Sequence, residues 1–181
     1  MRWSKIDPFE YVNGTGIGVS LFVQGCHFHC KDCFNSETWD FSGGKSWTED
    51  SKKIFLISVL RAYIERVSIL GGEPLADENF LDVFDLVQTI HARFPEKKIW
   101  IYTGYTWEDL LNDSQKKEIL PYINILVDGR FEADKKDLSL KFKGSSNQRV
   151  IDVQKSCLLY TSRLQQLFPK CRRVVLTLLF L

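Results

Sequence analysis

Val19-Ser20-Leu21-Phe22-Val23-Gln24-Gly25-Cys26-His27-Phe28-His29-Cys30-Lys31-Asp32-Cys33 is a short apolar run that passes through a glycine directly into three cysteines. Its first five residues are apolar, β-branched or small, which suits a strand in a sheet. The same junction recurs along the chain. Val67-Ser68-Ile69-Leu70 runs into Gly71-Gly72-Glu73-Pro74, Ile99-Trp100-Ile101-Tyr102 into Thr103-Gly104, and Ile123-Asn124-Ile125-Leu126-Val127 into Asp128-Gly129-Arg130. Between these runs the apolar period lengthens. A helix is expected across Ser51 to Ile64 with Ile54, Ile57, Val59, Leu60 and Ile64 as its apolar members. A second begins near Asp77, carries Phe80, Phe84, Val87, His91 and Phe94 at helical spacing, and is ended by Pro95. A shorter one is expected from Trp107 to Leu111. The order β-α-β-α-β-α-β predicts an α/β fold with a parallel sheet. Ligands in such folds bind at the carboxyl ends of the strands, so the four loops are expected to share one face.

The chain of 181 residues and 21.1 kDa fits a single domain with one core. Hydrophobic residues at 44% and charged residues at 26% give the balance of an ordinary globular protein. A net charge of +1 supplies no basic field for nucleic acid, so no nucleic-acid partner is expected. The opening Met1-Arg2-Trp3-Ser4-Lys5-Ile6-Asp7 lacks a secretory signal, and the apolar tail Val174 to Leu181 is far short of the roughly 20 residues that cross a bilayer. A cytoplasmic protein without a membrane anchor is expected, and in that reducing compartment cysteines read as thiols or metal ligands.

Cys26, Cys30 and Cys33 have the spacing C-x3-C-x2-C, short enough to wrap three thiolates around one corner of a metal group. Thiolates select iron–sulfur clusters and zinc over hard cations. A four-iron cluster held by three thiolates keeps one iron free to take an amine and a carboxylate from a small molecule. Zinc with His27 or His29 as fourth ligand is the structural alternative, and a Cys30–Cys33 redox dithiol is another. Cys157 and Cys171 are read as packing thiols, with one of them a possible fourth ligand. In the loop Gly71-Gly72-Glu73-Pro74, the paired glycines permit close backbone approach to a ligand, and Glu73 suits an ammonium group.

C-x3-C-x2-C after a first strand, with Gly-Gly-Glu-Pro after a second, resembles the radical S-adenosylmethionine superfamily. A narrower resemblance, to the activating proteins of anaerobic ribonucleoside-triphosphate reductase, rests on Asn13 through Cys26, on Cys33-Phe34-Asn35-Ser36-Glu37-Thr38-Trp39, on Val127-Asp128-Gly129-Arg130-Phe131 and on Gly144 through Asp152. It implies a trimmed, partial parallel βα barrel over residues 1–152, followed by a C-terminal tail, 153–181, outside the pattern. By the same resemblance Cys26, Cys30 and Cys33 hold a [4Fe-4S] cluster, and Gly71, Gly72, Glu73 and Pro74 bind the methionine end of S-adenosylmethionine. Asp128 is a candidate for a polar contact with that cosubstrate, with a plain turn residue as the alternative. Tyr102, Thr103 and Gly104 are candidates for the pocket wall, and Arg130, Asn147, Gln148 and Arg149 for its rim. The implied activity is reductive cleavage of S-adenosylmethionine to place a glycyl radical on the anaerobic reductase, with electrons from a donor such as flavodoxin. Activation of another glycyl-radical enzyme is the neighbouring alternative; a zinc-bound module or a small electron-transfer protein are those from other classes. One departure stands out: many superfamily members carry an aromatic residue just before the third cysteine, where this chain has Asp32, with Phe34 just after.

Overall fold

A computed structural model describes residues 1–156 of the chain. The readings placed on Cys157, Cys171 and Val174 to Leu181 lie outside the described residues. Seven strands form one sheet: β1 (Arg2–Glu10), β2 (Gly18–Gln24), β3 (Lys45–Ser46), β4 (Arg66–Gly71), β5 (Lys98–Tyr102), β6 (Ile125–Asp128) and β7 (Arg149–Asp152). Their order is β3-β1-β2-β4-β5-β6-β7, with β3 and β7 at unjoined edges, so the sheet is open. The four strands expected from the sequence, β2, β4, β5 and β6, pair in parallel at its centre. β1 and β7 flank them antiparallel, and β3 adds two residues to β1.

Among the described residues the α-helices that pack on the sheet include α1 (Glu49–Val59), α2 (Asp77–Arg93) and α3 (Trp107–Asn112). Thr48 caps α1 by accepting the Ser51 N–H, and Thr106 with Asp109 forms a reciprocal capping box on α3. α2 ends immediately before the Phe94-Pro95 pair, as expected, because proline disfavours helical geometry in the residue ahead of it. α1 differs from the expectation. It stops at Val59, and its buried face is Phe55, Leu56, Ser58 and Val59, while Ile54, Ile57 and Leu60 are 60%, 63% and 66% exposed. The turn at Arg61 frees Ile64 to drop into the core on its own. On α2, Phe80, Val83, Leu86, Val87 and Ile90 are buried, and His91 is exposed at the edge of that face.

Alternation along the strands divides the sheet. Val19, Leu21, Val23, Val67, Ile69, Ile99 and Ile101 join the helices in the hydrophobic core. The intervening residues Ser20, Arg66, Ser68, Trp100 and Tyr102 point to the opposite face, which is unusually polar for a buried surface. Arg66 there is fully buried against Glu10, with Nη1 2.6 Å from Glu10 Oε1 and 2.7 Å from Ser68 Oγ. Burial alone would raise the Glu10 carboxyl, but Arg66, Ser20 and the Asn13 and Val12 N–H groups outweigh it and hold the group down at about 2.

Candidate active site

Strand register keeps the four parallel strand ends level: Val23 pairs with Gly71, Ile69 with Ile101, and Tyr102 with Val127. The loops that leave those ends therefore meet on one face. The cysteine loop leaves β2 at Gly25, where φ is +96° and a Cβ would lie 2.1 Å from the Phe41 ring, so only glycine fits. His29 at φ +45° and Asp32 at φ +56° then bend the chain left-handed. The result is that Cys26, Cys30 and Cys33 line one cavity of about 160 Å³ together with Gly71, Gly72 and Glu73. Asp32 thus supplies a turn conformation that short polar side chains tolerate. Phe34 lines the cavity from the other side of Cys33, packed at 5.1 Å against Phe131.

Two backbone bonds lock the loop: Gly25 N–H donates to Thr38 O at 2.8 Å and Cys26 N–H to Trp39 O at 3.0 Å. Neither imidazole is among the described residues lining the cavity. His27 Nε2 lies 2.9 Å from Glu78 Oε1, and His29 stacks on Trp39 with ring centroids 4.7 Å apart. The three cysteines are free thiols. Among the described residues no three His, Cys, Asp or Glu side chains converge on a single ion. A multi-iron group makes no such demand, because each thiolate binds its own iron. Burial pushes the Cys26 thiol up to about 11 and raises Cys30 as well. Without a cation both are neutral at pH 7, and bound iron is the kind of partner that holds them as thiolates. The Phe28 and His29 N–H groups favour ionised Cys26, and Asn35 N–H donates to Cys33 Sγ at 3.4 Å. This donor set fits an iron–sulfur cluster.

The glycine-rich loop is hooked to the cysteine loop. Gly72 N–H donates to Val23 O at 2.9 Å and Glu73 N–H to Gly25 O at 2.8 Å. A Cβ on Gly72 would stand 2.4 Å from Gly25 O, a backbone atom that cannot swing aside. Glu73 is 2% exposed, and Pro74 beside it is buried. Its Oε1 accepts from Leu75 N–H at 2.8 Å and Thr103 Oγ1–H at 2.7 Å, and its Oε2 from Gly104 N–H at 2.7 Å. Burial raises Glu73 to about 7 against the pull of those hydrogen bonds. Glu73 therefore ties the loop after β4 to the loop after β5, a linking role the sequence did not disclose. Oε2, with one donor, retains acceptor capacity.

Asp128 lies elsewhere. It is 1% exposed, accepts the Trp107 N–H at the start of α3 at 2.7 Å, and pairs with Arg149, whose Nε is 3.0 Å from Oδ1. Arg149 also grips Glu108, and these carboxylate contacts raise its pKa. Asp128 lines a second cavity of about 900 Å³ and not the thiol cavity. The two cavities share Phe28, Gly104, Gly129 and Arg130 as a common wall. The Arg130 guanidinium stacks over the Phe28 ring at 4.3 Å and has no carboxylate partner among the described residues. Asn147 and Gln148 close the rim, donating to Arg130 O at 2.8 Å and Gly129 O at 2.9 Å. Of the remaining wall candidates, Tyr102, Thr103 and Gly104 all line the thiol cavity.

The sequence model of a family described as a 4Fe-4S single cluster domain matches residues 12–151. A protein of Salmonella typhimurium (strain LT2) is 40% identical over 152 residues, which cover 83% of this chain and 97% of that protein. Those of Enterobacteria phage T4 and Escherichia coli (strain K12) are each 38% identical over 152 residues, covering 83% of this chain and 93% and 97% of theirs. All three are named anaerobic ribonucleoside-triphosphate reductase-activating protein. With identity at this level over most of each chain, the protein belongs to the family of anaerobic ribonucleoside-triphosphate reductase-activating proteins, built on a 4Fe-4S single cluster domain.

Proposed function

We propose that this chain activates an anaerobic ribonucleoside-triphosphate reductase by placing a glycyl radical on it, with S-adenosylmethionine as cosubstrate. The observation that carries the reading is the shared cavity of three free thiols and the Gly71 to Pro74 loop at the ends of parallel strands. With a [4Fe-4S] cluster and S-adenosylmethionine bound, the chemistry supplied is one-electron cleavage of a carbon–sulfur bond to methionine and a 5′-deoxyadenosyl radical, which takes hydrogen from a backbone glycine of the reductase.

Cys26, Cys30 and Cys33 hold the cluster. Gly72 lets the glycine-rich loop pack directly on Gly25 O and so stand beside the thiols for the methionine end, and the remaining acceptor capacity of Glu73 Oε2 receives its ammonium group. Arg130, a guanidinium without a carboxylate partner among the described residues, offers a fork to an anionic group at the junction of the two cavities. Asp128 acts through Arg149 and the start of α3, holding the wall of the larger cleft. The open sheet is read as a trimmed barrel in residues 1–152, whose missing side admits the glycine-bearing loop of the reductase. A flavodoxin-type protein serves as electron donor.

The test is electron paramagnetic resonance of the anaerobic reductase after incubation with the reconstituted protein, a reductant and S-adenosylmethionine. A cosubstrate-dependent glycyl doublet is expected. With a competent reductase and a full cluster, its absence overturns the reading and directs the search to other glycyl-radical enzymes. Cys26→Ala, Cys30→Ala and Cys33→Ala are each expected to abolish the doublet and to leave less than stoichiometric cluster, checked by iron and sulfide content.

A further inference from the structure

Trp39 lines the thiol cavity, yet its indole Nε1–H is shielded from solvent and has no acceptor among the described residues. An indole N–H is a donor only, and a buried donor left without a partner is costly enough that native structures rarely contain one. The ring is held firmly. It stacks on His29 at 4.7 Å with 29° between planes, while the backbone carbonyl of Trp39 accepts from Cys26 N–H at 3.0 Å and its backbone N–H donates to Ser36 O at 3.2 Å. Trp39 is thereby fixed to the first cysteine itself, on the cysteine-loop side of the cavity.

We propose that Trp39 Nε1–H donates a hydrogen bond to a sulfur of the cluster held by Cys26, Cys30 and Cys33, and so raises the reduction potential of that cluster. The inference rests on the assignment of these thiols to the cluster. Sulfur is favoured over the cosubstrate as the acceptor because the backbone of Trp39 is hydrogen-bonded directly to Cys26, the first of the three thiol residues. Tyr102 O–H also lacks a partner among the described residues, but its charged neighbours are Arg66 and Glu10, on the polar sheet face. Reduction adds negative charge to the cluster, so an N–H···S bond strengthens in the reduced state and favours it. Trp39 is a positioning and tuning residue here, and takes no part in bond cleavage.

The experiment compares wild-type protein with Trp39→Phe, each reconstituted anaerobically and matched for iron and sulfide, by redox titration followed through the EPR signal of the reduced cluster. The ratio of reduced to oxidised cluster at the wild-type midpoint is expected to fall about tenfold in the variant, equivalent to about 59 mV for one electron. Benzothienylalanine at position 39, which keeps the ring shape and lacks the N–H, is expected to reproduce the shift and separates the hydrogen bond from packing. Proton ENDOR of the reduced wild-type cluster is expected to show an exchangeable coupling that both replacements remove. An unchanged midpoint and an unchanged ENDOR spectrum in the benzothienylalanine protein overturn the proposal. Should Trp39→Phe fail to take up cluster, the isosteric replacement decides the matter alone. A full cluster in Cys30→Ala would instead overturn the thiol assignment, and that result is read without reference to position 39.

Discussion

At the scale of single residues, Glu73 and Glu10 place opposite demands on pH. Glu73 has a folded-state pKa of about 7 against an ordinary 4.5, so between those values the folded chain binds its proton more tightly than the unfolded chain. Stability contributed through this group therefore falls as pH rises from 4.5 to about 7, by about 3 kcal/mol in total. Glu10, held at about 2, has the reverse sign: its contribution is fully present above 4.5 and is lost as pH falls toward 2. Urea unfolding of the metal-free protein across this range is expected to show both limbs. Glu73→Gln is expected to flatten the limb above pH 4.5, and Glu10→Gln the limb below it. The glutamate of Gly-Gly-Glu-Pro was legible in the sequence as a candidate, and the structure puts it in the lining of the thiol cavity. Its bonds to Thr103 and Gly104 were not, because they join positions about 30 residues apart that only the parallel pairing of β4 and β5 brings together.

At the scale of elements, the site depends on loops that touch through backbone. Gly72→Ala sets a methyl group 2.4 Å from Gly25 O and must push the two loops apart. A loss of about 1–3 kcal/mol is expected from this overpacking, with weakened S-adenosylmethionine binding, checked by thermal unfolding and by calorimetric titration of the reconstituted protein. Arg149→Met strips Asp128 of its ionic partner while leaving the carboxylate buried against the Trp107 N–H. Arg149 is half exposed, so a loss of about 2 kcal/mol is expected, below that for a fully buried pair. Urea unfolding of the metal-free protein measures it. The helices and the parallel strands were readable because each presents an apolar period to one core. β1 was not, since Arg2-Trp3-Ser4-Lys5-Ile6-Asp7-Pro8-Phe9-Glu10 mixes charge and proline, and its order derives from backbone pairing with β2 across two register shifts. The outward turn of Ile54, Ile57 and Leu60 was hidden for a related reason: apolar residues occur on both faces of α1, and only docking on β1 and β2 selects one.

Across the whole molecule, stability and chemistry sit on different parts of the sheet. The hydrophobic core lies between the helices and one sheet face, whereas the thiol cavity lies at the strand ends. Chelation of iron is therefore expected to loosen residues 26–39 without melting the sheet. Hydrogen exchange checks this: amides of β2, β4 and β5 keep their protection while that of the cysteine loop falls toward solvent rates. Global unfolding on iron removal would show that the cluster is part of the fold's core. No helix among the described residues is long and apolar enough to cross a membrane.

What the sequence determined by itself was the chemistry on offer and the order in which it arrives: three thiols at one spacing, a glycine pair ahead of a glutamate, and an alternation of strand and helix periods. Those are properties of residue type and of local spacing, which the chain carries before it folds. Only the tertiary structure decided which loops share a cavity. It put Asp128 in the neighbouring cleft with Arg149, made Glu73 the link between two strand ends, and brought Trp39 into the lining of the thiol cavity with its indole N–H lacking an acceptor among the described residues. The physical reason is that strand register and side-chain burial are settled by contacts between distant parts of the chain, and a local pattern holds no record of them.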